Sequence, residues 1–179
     1  MKNILITGGA GYIGSHVTEA LIKNKKKVFI VDNLSTGFKK LVNKKTSFYK
    51  ADILDTKTIK KIIIQNKIDS IIHLAGSLII GVGERYPKRY NKNNVLGTKS
   101  ILNACRNTLV KNFIFSSTAA VYKDNQKIVH EKSIIKPKSV YGKTKIKAEK
   151  LIILNCQKAK ISYAILRYFN VCGASPSGK

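Results

Sequence analysis

Acidic side chains are what this sequence has least of for its size. Nine Asp and Glu stand against 34 Lys and Arg in 179 residues, a formal net charge of +25. A surface this basic attracts phosphate backbones. Only Arg85, Arg89, Arg106 and Arg167 are arginines, however, and the lysines scatter through nearly every segment. Bidentate phosphate and base-edge recognition favours arginine, and no helix-turn-helix or zinc-finger pattern presents the charge. The expectation is a Lys-biased solvated surface with incidental, salt-sensitive affinity for polyanions and no specific nucleic-acid partner. Cysteine is scarce as well. Cys105, Cys156 and Cys172 are odd in number and widely spaced, so reduced thiols are expected rather than a disulfide framework or a zinc site. His16, His73 and His130 have no metal-ligand spacing and form no Ser/His/Asp order, which leaves them solvated or structural. No apolar run approaches the roughly 20 residues of a membrane span. The chain passes from Met1-Lys2-Asn3 straight into a strand with no room for a signal peptide, so a cytoplasmic location is expected. With 44% hydrophobic residues the chain can bury one substantial core, and one domain over residues 1–179 is expected.

What the sequence does have begins at once. Ile4-Leu5-Ile6 reads as a buried strand, and Gly8, Gly11 and Gly14 at three-residue spacing open a segment, Tyr12 to Lys25, with helical periodicity. In such a turn Gly8 permits the bend, Gly11 lets the backbone approach a pyrophosphate, and Gly14 lets helix and strand pack closely. The helix N-terminus offers free N–H groups to phosphates. A second apolar run, Val28 to Val31, ends in Asp32, about 18 residues beyond Gly14. An acid there is placed to accept hydrogen bonds from the adenosine ribose hydroxyls, and its charge repels a 2′-phosphate. These features predict a dinucleotide site for NAD rather than NADP.

Strands and helices then alternate. A turn over Asn33 to Gly37 precedes a strand, Ser47 to Ala51; Asp52 with Ile53 could touch the adenine, or the acids here could cap the helix Thr56 to Asn66. A fourth strand and small-residue turn cover Asp69 to Gly76. Ser77 to Tyr86, with Gly81 and Gly83, reads as a loop, followed by one long helix from about Tyr90 to Thr108 in which Gly97 implies close packing. A fifth strand, Asn112 to Thr118, ends in three hydroxyl residues, and a helix begins near Ser139 after Pro137. The pattern predicts an α/β fold, a Rossmann-type doubly wound parallel sheet flanked by helices, with ligands beyond the carboxyl ends of the strands.

Tyr141 and Lys145, four residues apart, share one face of that last helix. A tyrosine with a pKa near 10 is a poor base at neutral pH; an ammonium a few ångströms away and a positive nicotinamide ring both lower it. Thr118 could hold the same substrate hydroxyl against Tyr141. A hydroxyl, a phenol and an ammonium beside NAD amount to alcohol–ketone chemistry by hydride transfer.

Thr7-Gly-Gly-Ala-Gly-Tyr-Ile-Gly-Ser-His16, Asp32-Asn-Leu-Ser-Thr-Gly37, Lys111-Asn-Phe-Ile-Phe-Ser-Ser117, Tyr141-Gly-Lys-Thr-Lys145 and Arg167-Tyr-Phe-Asn170 together resemble the extended short-chain dehydrogenase/reductase family. The resemblance covers the whole chain and is strongest to the branch acting at C4 of UDP-sugars. It implies an isomerase of galactose and nucleotide-sugar metabolism that works through a 4-keto sugar, with the hydride held transiently by NAD. Tyr141, Lys145 and Thr118 would be catalytic, and Thr118, Tyr141 and Asn170 would meet the UDP-sugar. Besides Gly8, Gly11, Gly14, Asp32, Asp52, Ile53, Tyr141 and Lys145, the cofactor would touch Tyr12, Ile13, Asn33, Leu74, Ala75, Gly76, Asn94, Ser116 and Tyr168. No metal is implied. Lys145 would bind the nicotinamide ribose, and Asn94 and Tyr168 would frame that end.

The resemblance also implies a homodimer through the two long helices, which carry apolar residues on more than one side (Val95, Ile101, Leu102; Ile146, Leu151, Ile152, Leu154). Three departures stand out. Thr118 replaces the usual Ser, Leu78 replaces a Lys that many members direct at the cofactor phosphates, and the sequence stops at Lys179, about halfway through a usual member. A substrate region beginning near residue 168 and largely missing is therefore expected, with epimerisation weak in this chain alone. The alternatives are another nucleotide-sugar enzyme of the family, a different 4-epimerase or a decarboxylase, and a non-catalytic dinucleotide-binding module. Dehydratases of the family place acids just after the hydroxyl residue, where this chain has Ala119-Ala120.

Overall fold

A computed structural model describes residues 1–124 and 128–175. Residues 176–179, on which the reading of an early chain end rests, lie outside the described residues. Six strands, β1 (Asn3–Thr7), β2 (Lys27–Asp32), β3 (Ser47–Lys50), β4 (Ser70–His73), β5 (Asn112–Thr118) and β6 (Ser162–Tyr168), form one parallel sheet in the order β3-β2-β1-β4-β5-β6. This is the expected Rossmann order. Its direction reverses between β1 and β4, which is where such sheets open a crevice.

Strand side chains alternate between two cores, as the period of two requires. Leu5, Phe29, Val31, Ile71, Phe113 and Phe115 pack under helices α2 (Thr56–Gln65), α5 (Gly97–Cys105) and α6 (Val140–Ala159). Ile4, Ile6, Val28, Ile30 and Ile72 face helix α1 (Tyr12–Lys23) through Val17, Leu21 and Ile22. Buried on both faces, the central strands read as continuous apolar runs, which makes them legible in the sequence. Among the described residues no helix is long and apolar enough to cross a bilayer.

Three expectations need correction. The segment Ser77 to Tyr86 is not a plain loop, because Ile80–Arg85 forms a short helix, α3. Its two glycines argue against a helix by propensity, but tertiary contacts override them. Gly83 lies where a Cβ would be 3.1 Å from the Tyr90 ring, and the Glu84 carboxylate accepts from the Val140 amide at 2.7 Å. The single helix from Tyr90 to Thr108 is three pieces: a turn of helix α4 (Pro87–Tyr90), a π-helical turn (Asn91–Leu96) and α5, which stops at Cys105. The sixth strand, to which the chain-order reading gave no element, pairs with β5 over seven residues. Gly97 does mark close packing: a Cβ there would meet Ile53 Cδ1 at 2.4 Å.

The apolar excess on the two long helices is mostly core. Ile101, Leu102 and Ile152 are buried, whereas Leu96 and Leu154 remain about half exposed, at 47% and 56%.

Candidate active site

The carboxyl ends of the strands carry two clusters on either side of the switch point. The first surrounds the glycine turn. Gly8 has φ +74°, a left-handed conformation that favours glycine, and a Cβ there would lie 2.7 Å from the Ala75 amide nitrogen. A Cβ on Gly14 would lie 2.3 Å from the Gly8 carbonyl oxygen, so helix and turn touch backbone to backbone. On Gly11 it would meet only that same oxygen, at 3.3 Å. The first turn of α1 carries no acidic residue and its N-cap, Gly11, supplies no side-chain bond, which leaves its N–H groups for an anion. Tyr12 and Ile13 form the start of this helix.

Asp32 is fixed by the backbone around it. One carboxylate oxygen accepts from the Ala10 amide at 3.0 Å and the other from the Leu34 amide at 2.8 Å. The Phe38 amide in turn donates to the Ala10 carbonyl at 3.0 Å, folding the 33–38 segment onto the glycine turn. Leu34 adopts φ +60°, a strained conformation for a branched side chain that the segment holds in place. Each oxygen of Asp32 retains acceptor capacity for a ribose hydroxyl. Next to it Asn33 donates to Asp52 at 3.0 Å. The helix cap is Asp55, which accepts from the Thr58 amide at 3.0 Å, while Asp52 accepts from Leu54 and faces Asn33. Acids of both kinds are thus present here. These groups fit the adenosine and pyrophosphate portions of a dinucleotide.

The second cluster holds the reactive groups. Three consecutive residues of β5 each meet one residue on a single face of α6. The Lys145 ammonium donates to the Ser116 carbonyl at 2.7 Å, the Ser117 hydroxyl donates to the Glu149 carboxylate, and the Thr118 hydroxyl stands near enough to the Tyr141 phenol to lower its pKa. Gly142 brings α6 this close, since a Cβ there would sit 2.4 Å from the Ala120 carbonyl oxygen. Lys145 is buried over the Phe115 ring, 4.7 Å from its centroid and 5.9 Å from that of Tyr141. Burial lowers its pKa to about 8, against the opposing pull of Glu149.

Tyr141 departs from expectation. Burial raises its phenol pKa, the Thr118 hydroxyl beside it pulls down and the nearby Tyr90 pushes up. The lowering expected from Lys145 is not delivered by the protein's own groups, because the ammonium is turned to the Ser116 carbonyl rather than to the phenol oxygen.

A buried polar chain underlies both clusters. Thr98 donates to the Asn94 carbonyl at 2.7 Å, so it can only accept from His73 Nε2–H, at 3.0 Å; His73 Nδ1 then accepts from the Thr7 hydroxyl at 2.6 Å. His73 is fully buried, and desolvation, with the Lys145 charge second, lowers its pKa to about 3. It is a neutral structural residue. Asn94, inside the π-helical turn, bridges the loop after β4 to α6: its oxygen accepts from the Ser77 amide at 2.7 Å, and its nitrogen donates to the Ser77 carbonyl and the Thr144 hydroxyl, each at 3.0 Å. The turn Leu74-Ala75-Gly76 ends β4 here; a Cβ on Gly76 would lie 3.0 Å from Asn94 Oδ1 and 3.7 Å from the Lys145 nitrogen.

Tyr168 pairs in register with Thr118 but lines a cleft of about 320 Å³ with Tyr12, Ile13 and His16 of α1. The Tyr12 hydroxyl closes one side by donating to the Gly173 carbonyl at 2.6 Å. Asn170 is exposed just beyond β6, and Leu78 is 68% exposed after β4. Among the described residues no cluster of His, Cys, Asp and Glu could hold a metal ion.

Sequence reasoning missed Glu149. Its carboxylate, 2% exposed, accepts from Arg167 Nε at 3.1 Å and from a terminal guanidinium nitrogen at 2.7 Å. The signal was present: Tyr141, Lys145 and Glu149 recur every four residues, so they form one helical stripe.

Comparison with known proteins agrees with this geometry. The family model described as the NAD dependent epimerase/dehydratase family matches residues 4–179. A UDP-glucose 4-epimerase of Lactobacillus helveticus is 40% identical over 176 residues, covering 98% of this chain and 53% of the relative. One from Haemophilus influenzae is 39% identical over 186 residues, covering 98% and 55%. Among solved structures, UDP-glucose 4-epimerase from Brucella ovis in complex with NAD superposes with a TM-score of 0.95 at 36% identity, covering 100% of this chain and 55% of that one. The Thermotoga maritima enzyme with UDP-glucose gives 0.91 at 37% identity, covering 96% and 56%. The chain spans about half the length of the curated relatives it matches.

Proposed function

For a chain that belongs to the NAD dependent epimerase/dehydratase family, we propose NAD-dependent epimerisation at C4 of a UDP-sugar, the UDP-glucose/UDP-galactose pair being the substrates to test first. The observation that carries the reading is the alignment of Thr118, Tyr141 and Lys145 at the end of β5, where two bonds, Lys145 to the Ser116 carbonyl and Ser117 to Glu149, hold α6 against the strand, across the switch point from a glycine turn and Asp32. Gly8, Gly11, Gly14 and the start of α1 would receive the pyrophosphate, and Asp32 the adenosine ribose. Lys145, close to Gly76, would receive the ribose hydroxyls at the other end. Bound NAD supplies a hydride acceptor that can return what it takes, which is the chemistry needed to invert a carbinol through its ketone.

The chain's own residues handle the proton. Thr118 holds the sugar C4 hydroxyl, and Tyr141 accepts its proton when the carbinol is oxidised and gives it back when the ketone is reduced. A phenol whose pKa burial raises needs positive charge to act as a base; the nicotinamide ring would supply it, with Lys145 adding to it once its ammonium turns from the Ser116 carbonyl. The 3-10 turn after Thr118, Ala119–Val121, presents no carboxyl group to protonate a leaving hydroxyl, which favours epimerisation over dehydration. Asn170 would meet the nucleotide sugar.

The test is interconversion of UDP-galactose and UDP-glucose with NAD, by this chain and by a chain extended to the length of its relatives. Conversion by neither, with NAD bound, would overturn the reading in favour of a binding module. A homodimer through α5 and α6 belongs to the same reading. Leu96 and Leu154 would form its apolar seam, between exposed Lys92, Lys99, Lys143, Lys147 and Lys150. Facing like charges at a two-fold interface should make the dimer tighter in high salt, a trend that sedimentation at micromolar concentration reads directly.

A further inference from the structure

We infer that Glu149 is a positioning residue for the Tyr141–Lys145 pair, acting through Ser117 and Arg167 to hold α6 in register with the ends of β5 and β6. The inference rests on the dinucleotide reading of the site but uses residues outside it. Of the two side-chain bonds between β5 and α6 among the described residues, one is made by a carboxylate, and that carboxylate also reaches a third element, β6. Ser117 and Arg167 are register partners on β5 and β6, so Glu149 grips both strands at one level. The next level holds Thr118 and Tyr168, and Lys145 bonds one residue below at Ser116. Arg167 is itself fixed: a terminal nitrogen donates to the Tyr122 hydroxyl at 3.0 Å, and its guanidinium carbon lies 5.0 Å from the centre of the Tyr122 ring.

A buried ion pair is weak grounds for stability, since apolar residues of the same volume serve as well or better. What a fork of charged hydrogen bonds gives and an apolar contact does not is orientation. Orientation matters where reacting groups must be held within about 0.5 Å. Glu149 also faces Lys145 one turn along α6, and its charge favours the ammonium against burial. The other groups around that ammonium are Tyr141 on the same helix and His73 on β4, which burial keeps neutral; Arg167 on β6 lies beyond Glu149, and Tyr90 beyond Tyr141.

Glu149→Gln keeps the volume and the Ser117 bond but removes the charge and the ion pair. The readouts are the titration of the Lys145 Cε resonance by NMR, NAD affinity by calorimetry, and the melting temperature. In the parent the Lys145 midpoint is expected at about 8. In the variant it should move to lower pH. At the parent midpoint, about 8, NAD affinity should fall by about fivefold, because a midpoint lower by roughly one pH unit leaves about a fifth as many Lys145 side chains charged. A lower melting temperature with an unmoved Lys145 midpoint and unchanged NAD affinity would overturn the inference, leaving Glu149 a purely structural residue. If Glu149→Gln does not fold, Glu149→Asp decides. It keeps the charge and withdraws the carboxylate by one methylene, so NAD affinity should fall with the Lys145 midpoint in place; unchanged affinity would overturn the inference. A parent chain that binds no NAD sinks the dinucleotide reading instead, while the Lys145 titration still tests Glu149.

Discussion

The two ends of the crevice are held by different means. The adenosine end is built from backbone: a glycine at positive φ, a helix terminus without a side-chain cap, and an aspartate bound by two amides that lie 2 and 22 residues away. The reactive end is built from side chains that meet across 18 to 50 residues, through Glu149, Arg167, Ser117, Asn94 and Thr144. Backbone sites tolerate no added atoms but need little support. Side-chain sites accept small changes in shape, yet depend on partners far along the chain.

Substitutions can break that contrast, and the largest effect belongs to the reactive end. Tyr141→Phe should cost about a hundredfold or more in C4 inversion of UDP-galactose, the scale of a lost general acid–base. NAD affinity by calorimetry should stay within about twofold, because Phe keeps the ring and the pyrophosphate- and ribose-binding groups are untouched. At the backbone end, Gly14→Ala forces a methyl into the Gly8 carbonyl, and overpacking against a wall that cannot move should destabilise by about 3 kcal/mol in urea titration.

The buried polar chain that joins the two ends carries an acid sensitivity. His73 titrates at about 3 when folded and near 6.5 when unfolded. Between these values the unfolded chain binds a proton that the fold refuses. Stability should therefore fall by about 1.4 kcal/mol for each unit that the pH drops below 6.5, flatten near 3, and be unaffected by this group above 6.5. His73→Gln should remove that slope from the pH dependence of urea unfolding.

Smaller effects sharpen the picture. Leu78→Lys places a cation on an exposed side chain after β4, where the family resemblance implies one directed at the phosphates. NAD should bind a few-fold more tightly, and added salt should erase the gain. Gly97→Ala, against the flexible tip of Ile53, should be nearly neutral in the same urea titration. The strain is offset by up to about 1 kcal/mol of helix propensity.

The same contrast explains what can be read from the sequence. The glycine turn, Asp32 and the four inner strands, β1, β2, β4 and β5, follow from local spacing and from apolar runs packed between helices, so sequence order alone exposes them. Tyr141 and Lys145 are legible because they share one helix. The π-helical turn at Asn91–Leu96 leaves no periodic mark. Its Asn94 is explained only by Ser77 and Thr144, on other elements. Strand β6 is an edge with Tyr163 and Leu166 more than one-third exposed, so it lacks the buried run that announces its neighbours. Glu149 can be found as a stripe residue, but its work depends on Arg167, 18 residues on, and on Ser117, 32 residues back. The direction of the Tyr141 pKa change is hidden for a related reason. Spacing shows that Lys145 is near, not that its ammonium is turned toward a carbonyl.

The central claim is that the groups around Gly8, Gly11, Gly14 and Asp32 carry NAD binding and its preference over NADP without help from the Tyr141 phenol. Calorimetric titration of NAD and NADP into the parent chain, Asp32→Asn and Tyr141→Phe tests it most directly. The account predicts one saturable NAD site in the parent, weaker NADP binding, a preference diminished by Asp32→Asn, and no change with Tyr141→Phe. NADP binding as tightly as NAD to the parent, or loss of NAD binding with Tyr141→Phe, would contradict it.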